Sequence, residues 1–404
     1  QALSQLINRP NLICVDMGGT SFDMSLIING KPTVTNETEQ EYIPLLIPLV
    51  DIHTIGAGGG SVAWLENEAL RVGPRSAGAD PGPACYGKGG DEPTVTDANL
   101  FLGRLGKESK LGGWMNLDVN ASENVLQNLS KKLNISQVEL AEGILSIINA
   151  KMADAIRTIT VKEGIDPREF SLVAFGGAGS MHAVWLAEEL EISEIIVPND
   201  PGTFSAWGML QTDIRRDLTV NFYQNFQSLE QKKLLESYNK LKEEASDLLK
   251  SENVSESDMK FNLTADMRYI GQEYYVNVDL AEPFNLEDIN KNFHNTYKKQ
   301  YGHSTPEGPC EFINLRLIAL GKIQKSGSIK SASEDIDIEN TKREVIFNQK
   351  AHQTDVLSRQ KIKTNDKFKG PVVIEESTAT TVVPTNYNIV KDDFGNIIIS
   401  KEKK

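Results

Sequence analysis

The chain has 404 residues, of which 39% are hydrophobic and 24% are charged, and this length predicts about two to three globular domains. Its formal net charge is −14, which makes nucleic acid and anionic membrane surfaces poor candidates as partners, since both attract clustered Lys and Arg. No apolar run approaches the roughly 20 residues of a membrane span, and the widely spaced cysteines favour a reducing, cytoplasmic compartment.

The first motif along the chain is Asp16-Met-Gly-Gly-Thr-Ser-Phe-Asp23. The apolar runs 11–16 and 23–28 predict strands on either side of it. Asn29-Gly30 is a strong hairpin signal, so we expect an antiparallel meander. A glycine turn between two strands excludes a P-loop and a dinucleotide fingerprint, because the glycine loops of both lead into a helix.

The residue types of this motif favour a phosphate site. Gly18 and Gly19 permit a tight turn whose backbone N–H groups face an anion, and Thr20 adds a hydroxyl donor. Asp16 cannot bind phosphate itself, but it can hold Mg²⁺ or a water molecule beside it, which makes it a candidate catalytic residue and metal ligand. Asp23 is expected to support the turn. A purely structural hairpin is the alternative interpretation.

Residues 51–99 are rich in Gly, Pro and small residues and carry few helix or strand signals, so we expect a long, ordered loop region. Within it, His53 follows Asp51 by two positions, which places both side chains on one face of a strand. A histidine beside a carboxylate can transfer protons or bind a metal, so His53 is a candidate catalytic residue. The adjacent run Gly58, Gly59 and Gly60 strengthens the functional interpretation, although a structural role is equally open.

A second glycine motif follows a long predicted helix. That helix is predicted to begin after Ser136 and to end at Gly164. An apolar strand is predicted over 171–175. The motif then leads into another helix, and its Gly176, Gly177 and Gly179 offer free N–H groups at the positive end of the helix dipole. It also leaves room for a flat adenosine. Close helix–strand packing is the alternative explanation.

From residue 216 onward the pattern changes to long amphipathic helices and paired strands. Helices are predicted over 228–250 and 286–301, strands over 262–280 and 311–320, a charged linker over 325–341, and β structure over 354–400. We therefore predict an α/β domain over residues 1–215 and an α+β region over 216–404, with a further division near 325–353 as an alternative.

The two glycine motifs together resemble the second lobe of the actin, sugar-kinase and heat-shock-chaperone ATPases, which have a ribonuclease H-like fold. That resemblance implies an ATP-binding lobe over residues 1–215, with Mg²⁺ as the accompanying ion. Further blocks narrow the resemblance. They are 51–61, 71–87, 93–99, 175–183, 201–208, 267–272, 301–303 and 370–375.

In these blocks the chain resembles the hydantoinase A / 5-oxoprolinase family, with the N-methylhydantoinase A-type subunits among its members. The resemblance implies an ATP-dependent hydrolase that opens a cyclic amide (a hydantoin, 5-oxoproline or a related lactam) by phosphorylating the amide oxygen. Some relatives serve as ATP-using subunits of ketone carboxylases, which is one alternative. A non-catalytic docking scaffold is another.

Full-length members of this family carry an additional N-terminal lobe that opens with an earlier Asp-x-Gly-Gly-Thr motif. The copy at Asp16 resembles the second-lobe motif, so we expect a missing first lobe, supplied by a longer chain or by a separate subunit. A small-molecule substrate and a hydantoinase B-type subunit are the other partners that the resemblance implies. Cys85 and His182 are more simply explained as structural residues, whereas the Tyr-Gly-His context of His303 indicates a site, with a structural role as the alternative.

Overall fold

A computed structural model of the chain describes residues 1–35, 38–40, 43–45, 49–108, 111–323 and 340–402. The first compact unit consists of Gln1–Met209 with Ser328–Lys404, and the second of Leu210–Gly327. This division differs from the predicted one, which placed all of residues 216–404 in a single region. The end of the chain belongs to the first unit because it pairs with a strand of that unit. The second boundary lies inside the range 325–353, and residues 325–339 of the predicted linker lie outside the described residues.

The helices and strands up to residue 210 are α1 (Ala2–Ile7), β1 (Leu12–Met17), β2 (Phe22–Ile28), β3 (Lys31–Pro32), β4 (Val34–Thr35), β5 (Thr38–Gln40), β6 (Ile43–Leu45), β7 (Leu49–Val50), β8 (His53–Ile55), β9 (Ser61–Glu66), β10 (Ala69–Ser76), α2 (Val95–Phe101), α3 (Val119–Leu133), α4 (Gln137–Lys162), β11 (Ser171–Phe175), α5 (Gly179–Glu189), β12 (Glu194–Val197) and α6 (Phe204–Leu210). Those that follow are β13 (Ile214–Asn225), α7 (Gln231–Ser251), β14 (Met259–Tyr269), β15 (Val276–Leu280), α8 (Leu286–Tyr301), β16 (Cys310–Gly321), β17 (Thr341–Phe347), β18 (Lys350–Ser358), β19 (Lys367–Lys369), β20 (Val372–Glu375), β21 (Thr380–Val383), β22 (Tyr387–Lys391) and β23 (Ile397–Lys401). None of the described helices is both long and apolar enough to cross a membrane.

The main sheet of the first unit positions both glycine motifs. Its described strands run in the order β19-β22-β23-β12-β11-β1-β2-β3, and β8 also pairs with β2. The predicted meander of β1, β2 and β3 is confirmed, whereas β1, β11 and β12 run parallel. Because parallel strands end at the same edge of a sheet, the register that pairs Asp16 with Phe175 brings the glycine motifs after β1 and β11 together.

Helices cover both faces of this sheet. The hydroxyl of Ser136 caps α4 by accepting a 3.1 Å hydrogen bond from the Glu139 amide, and Ile144, Ile148 and Met152 are fully buried, which confirms the predicted helix and its apolar stripe. These residues belong to the main core, which also includes side chains of α5. A smaller core on the opposite face joins side chains of β1 and β11 to α1 and α6.

The prediction of a long loop region over residues 51–99 was wrong. This segment contains β8, the β9–β10 hairpin and α2. The hairpin turns at Asn67 and Glu68, which have positive φ values of 50° and 67°. Glutamate is an unusual residue in that conformation, so the sequence lacked the glycine or asparagine-glycine signal that marks such a turn.

The end of the chain completes the first unit. β23 pairs antiparallel with β12, and β17, β18, β20 and β21 form a separate four-stranded sheet. The second unit is a four-stranded antiparallel sheet in the order β13-β16-β14-β15, with α7 and α8 packed against it. The predicted helices and strands of the second unit are confirmed, with end points that shift by a few residues.

Candidate functional site

The first glycine turn, residues 18–21, lies at the carboxyl end of β1 and is open on one side. The Gly18 amide donates to the Ser21 carbonyl over 3.2 Å, which closes the turn. A Cβ at Gly18 or Gly19 would meet no atom within 4 Å, and Gly19 and Thr20 are exposed. Within the described ranges, the amides of Gly19 and Thr20 donate to no other residue. The turn therefore presents backbone donors of the kind that bind anions.

The run of three glycines in the middle region supports this turn from the interior. The Gly59 amide donates to the Gly18 carbonyl over 3.0 Å. The Gly60 amide donates to the Gly19 carbonyl over 2.7 Å. A Cβ at Gly58 would lie 2.6 Å from the carbonyl carbon of Gly19, so only glycine allows this approach. All three glycines are buried, so they shape the turn and leave its open side to residues 18–21.

The second glycine turn, residues 176–179, leads from β11 into α5 and lies against Asp16. Gly176 has a φ of +81°, and a Cβ there would overlap Asp16 Oδ1 and lie 2.5 Å from the carbonyl oxygen of Met17. The Ala178 amide donates to that same carbonyl over 2.9 Å. The structure thus brings together two motifs that the sequence separates by about 160 residues.

The other two glycines of the second turn differ in exposure. Gly177 is exposed, whereas Gly179 is buried as the first residue of α5. A Cβ at Gly179 would lie 3.6 Å from the Met17 amide nitrogen, an ordinary packing distance. The first amides of a helix lack partners within the helix and lie at the positive end of its dipole, and Gly177 is the exposed glycine beside them.

Asp16 lies between the two glycine turns. The Ser205 hydroxyl donates to Asp16 Oδ2 over 2.8 Å, and Asp23 is directly opposite in the β1–β2 register. Partial burial raises the pKa of the Asp16 carboxyl above its ordinary value; the hydrogen bond from Ser205 opposes this shift, and the charge of Asp23 adds to it. A nearby cation would stabilise the ionised form of this carboxylate.

Ser205 is a site residue that the sequence analysis missed. Its block, 201–208, contributed to the family resemblance, but no chemistry was assigned to it. The hydrogen bond to Asp16 joins residues 189 positions apart, so only the placement of α6 on the smaller-core face reveals it.

Asp23 uses both carboxylate oxygens within the site. Oδ2 accepts a 3.0 Å hydrogen bond from the Ser21 hydroxyl, and Oδ1 accepts one of 2.5 Å from the Thr54 hydroxyl. Asp23 therefore ties the first glycine turn to β8.

His53 lies beside Asp51, as their spacing predicts. His53 Nε2 is 3.3 Å from Asp51 Oδ2, and Lys162 Nζ is 3.7 Å from the same oxygen. However, the register pairs His53 with Met24, a residue of the main core, and pairs Thr54 with Asp23. Because side chains alternate across a strand, His53 faces the α4 side of the sheet while Asp16 faces the α6 side. The structure does not bring the two candidate catalytic residues together.

The remaining singled-out residues lie away from Asp16 or have buried side chains. His182 is buried, its Nδ1 lies 2.7 Å from Asn149 Oδ1, and burial lowers its pKa to about 3. Burial, followed by the charge of Asp97, raises the pKa of the Cys85 thiol. His303 belongs to the second unit, where its exposed ring lies 3.1 Å from the Tyr301 carbonyl oxygen. Neither the Cys85 thiol nor the His182 ring is therefore prepared to act as a nucleophile or a base.

These features define a mixed α/β protein with a glycine-lined site at the carboxyl edge of its main sheet. The hydantoinase/oxoprolinase profile matches residues 1–218, and the hydantoinase/oxoprolinase C-terminal domain profile matches residues 221–401. The chain belongs to the hydantoinase/oxoprolinase family, which confirms the resemblance seen in its motifs.

Curated relatives show the same relationship. An uncharacterized protein of Methanocaldococcus jannaschii is 38% identical, covering 98% of this chain and 60% of the relative. Caprolactamase subunit alpha of Pseudomonas jessenii is 34% identical, with 95% and 57% covered. The 5-oxoprolinase of Saccharomyces cerevisiae is 30% identical, with 94% and 31% covered. The chain thus spans about 60% or less of the length of these relatives.

Solved structures agree on the fold. The crystal structure of the ATP-dependent caprolactamase from Pseudomonas jessenii superposes with a TM-score of 0.77 at 31% identity, covering 100% of this chain and 60% of that one. A nucleotide-free acetone carboxylase superposes with a TM-score of 0.85 at 23% identity, covering 99% and 59%. At that lower identity the carboxylase shows a shared mixed α/β fold alone.

Proposed function

We propose that this chain is the nucleotide-binding part of an ATP-dependent enzyme that hydrolyses a cyclic amide, such as a lactam, 5-oxoproline or a hydantoin. The observation that carries the proposal is the meeting of two glycine turns at Asp16. Relatives named as a caprolactamase subunit and a 5-oxoprolinase, at 34% and 30% identity, support the substrate class.

Each of the two glycine turns would bind a different part of ATP. The amides of Gly19 and Thr20, with the Thr20 hydroxyl, would bind phosphate oxygens on the open side of the first turn. The second turn would carry the nucleoside, with Gly177 exposed and Gly176 held against Asp16. Gly58–Gly60 keep the first turn in shape from behind.

Magnesium fits the carboxylates of this site. Mg²⁺ in phosphate sites takes one or two carboxylates and fills its other positions with phosphate oxygens and water. Asp16 and the facing Asp23 match that number, and the part of the chain that the structure describes holds no cluster of three or more His, Cys, Asp or Glu side chains able to bind a metal. When bound, the ion neutralises charge on the transferring phosphoryl group. Asp16 would hold it, and Ser205 would orient that carboxylate.

The chemistry follows from the stability of an amide. Transfer of the γ-phosphoryl group to the amide oxygen converts an inert carbonyl into an activated imidate. Water then adds to its carbon, and the C–N bond breaks, which opens the ring and leaves an acyl phosphate. A second water hydrolyses the acyl phosphate to a carboxylate and inorganic phosphate. That transfer depends on positioning and charge neutralisation rather than on a nucleophile triad. His53, oriented by Asp51, faces the α4 side of the sheet and therefore points away from Asp16. We propose that His53 transfers protons only to or from a group that binds on the α4 side.

We further propose that the first unit is one lobe of an actin-like ATPase. The order β3-β2-β1-β11-β12, with an antiparallel β2 and helices on both faces, supports this assignment. The other lobe would come from the part of the longer protein that this chain does not span, and a hydantoinase B-type subunit is a further partner. The caprolactamase relative, of which the chain spans 57%, is itself named as a subunit. A reducing, cytoplasmic location fits three free cysteines.

The ketone-carboxylase alternative is less well supported, since the acetone carboxylase is 23% identical and the caprolactamase structure is 31% identical. Calorimetric titration with ATP–Mg²⁺ distinguishes the nucleotide-binding proposal from a docking scaffold that binds no nucleotide. We expect the chain to bind ATP–Mg²⁺ at micromolar concentration, and Asp16→Asn to weaken this binding at least tenfold. The exposed control Asp91→Asn should bind as the parent chain does.

Activity requires the longer protein. With the missing lobe and a B-type subunit added, ATP hydrolysis should rise on addition of caprolactam, 5-oxoproline or hydantoin, and Asp16→Asn should abolish the rise. Normal ATP binding with no stimulation by any cyclic amide, together with stimulation by a ketone and bicarbonate, would transfer the assignment to the carboxylase alternative.

A further inference from the structure

A cavity of about 970 Å³ lies beside the second glycine turn and has no part in the phosphate site. Gly177 forms part of its wall, as does the hairpin tip, which we define as residues 376–379 between β20 and β21. Apolar residues, including Phe101, Leu105 and Ile346, form another part, and charged residues, among them Lys107 and Arg343, complete the lining. A nucleoside has flat apolar faces and polar edges, so this combination of linings matches its chemistry.

The hairpin tip contacts the glycine segments through Thr378. A Cβ at Gly202 would lie 2.6 Å from Thr378 Cβ and would overlap its hydroxyl oxygen. A Cβ at Gly177 would lie 3.5 Å from the Thr378 carbonyl oxygen. All three residues are exposed, and Thr378 lines the cavity, with its hydroxyl next to Gly202 and its carbonyl oxygen next to Gly177.

The hairpin tip is held in a fixed position relative to α5. The Glu376 amide donates to the Ala379 carbonyl over 3.0 Å, which closes the tip. The hydroxyl of Ser180, in the first turn of α5, donates to the Thr380 carbonyl over 2.8 Å. Glu376 also forms a buried ion pair of 2.9 Å with Arg359. Such preorganisation reduces the entropy lost when a ligand binds.

We propose that the hairpin tip is the nucleoside-recognition element of the ATP site, with the Thr378 hydroxyl bound to the ribose and the base in the cavity beyond Gly177. This inference rests on the proposed function, because it takes the triphosphate to bind at the first glycine turn. It assigns phosphate binding to the start of the chain and nucleoside recognition to a segment near its end. Thr378 is therefore a specificity-determining residue rather than a member of the phosphate site.

The test compares ATP–Mg²⁺ with inorganic triphosphate–Mg²⁺ by calorimetry on the full chain. Thr378→Val removes the hydroxyl at constant size, and Gly202→Ala displaces the tip without touching residues 18–21. We expect each to weaken ATP binding about 5- to 10-fold, the effect of one lost hydrogen bond, and to leave triphosphate binding unchanged. Thr385→Val, an exposed threonine after β21, is the matched control and should change neither.

The outcomes separate the two proposals. If triphosphate binds and Thr378→Val and Gly202→Ala bind ATP as tightly as the parent chain, the hairpin tip has no part in recognition while the phosphate site stands. Equal weakening of both ligands would also overturn the inference, because it would mean that the tip supports the phosphate turn. If neither ligand binds even when the missing lobe is supplied, the proposed function fails, and the inference fails with it.

Discussion

The close approach of Gly176 to Asp16 gives the sharpest test of how the site is built. Replacing Gly176 with alanine imposes two separate costs. A φ of +81° disfavours any residue with a Cβ, by about 1 kcal/mol. The new Cβ would also lie 2.5 Å from the Met17 carbonyl oxygen, inside the 3.0 Å that real Cβ contacts respect, and backbone atoms cannot move aside cheaply. Overpacking of this kind costs about 2 kcal/mol.

The sum is a loss of about 3 kcal/mol, which lowers the melting temperature by about 5 °C for a unit of this size. Two matched glycines separate the terms. Gly164 has a φ of +67° but open space around its Cβ position, so Gly164→Ala should lose only about 1 kcal/mol. Gly208 lies in α6 with neither a positive φ nor a close neighbour, so Gly208→Ala should be neutral or gain about 0.5–1 kcal/mol.

Differential scanning calorimetry of the three variants measures these losses. The contact between the glycine turns is supported if Gly176→Ala loses at least about 1 kcal/mol more than Gly164→Ala. Equal losses in the two variants would refute the reasoning, because they would show that backbone conformation alone requires the glycine and that Asp16 and Met17 leave room for a side chain.

Three further predictions follow from buried groups. The pKa of His182 is lowered to about 3, below its value near 6.5 when unfolded, so its contribution to stability is complete above pH 6.5 and falls as the pH drops. In urea titrations, the parent chain should lose about 2 kcal/mol of unfolding free energy between pH 6.5 and pH 5 relative to His182→Gln. The same pH dependence in both chains would contradict this. Asp266 is buried and accepts a 2.8 Å hydrogen bond from Arg316. Asp266→Asn should therefore lower the free energy of unfolding by about 2–3 kcal/mol and raise the rate of amide hydrogen exchange in β14 and β16. Unchanged exchange would contradict this prediction. Burial raises the pKa of the Cys14 thiol and of the Cys310 thiol to about 11. A disulfide reagent at pH 8 should therefore modify these thiols only as the chain unfolds. Rapid labelling of the folded chain would contradict this prediction.

Local signals in the sequence were sufficient for most of the elements that position the site. The Asn29-Gly30 turn has positive φ at both residues, as a primed hairpin requires, and the motif after β1 and the motif after β11 were both identified from glycine spacing. Their meeting at Asp16 follows from parallel pairing, because strands that run the same way end at the same edge.

Other parts of the site depend on tertiary structure that no local pattern carries. Ser205 reaches Asp16 from 189 residues away, and Thr380, which follows the hairpin tip, contacts Ser180 from 200 residues away. His53 was correctly associated with Asp51, since two-residue spacing is local. Its separation from Asp16 depends on which residue of β2 it pairs with, and register between strands cannot be read from either strand alone.

The pairing of β12 with β23 has a consequence for the order in which the protein is made. β12 ends at Val197, but its antiparallel partner begins only at Ile397, after the whole second unit has been synthesised. On the ribosome, the second unit can fold from its own contiguous segment while β12, with the sequence Glu-Ile-Ile-Val, still exposes an unpaired apolar edge. Such an edge is a template for association with other chains. Pairing with β23 therefore covers this edge only once Ile397–Lys401 has been synthesised, and a truncation that removes β23 should reduce soluble yield before it affects any chemistry.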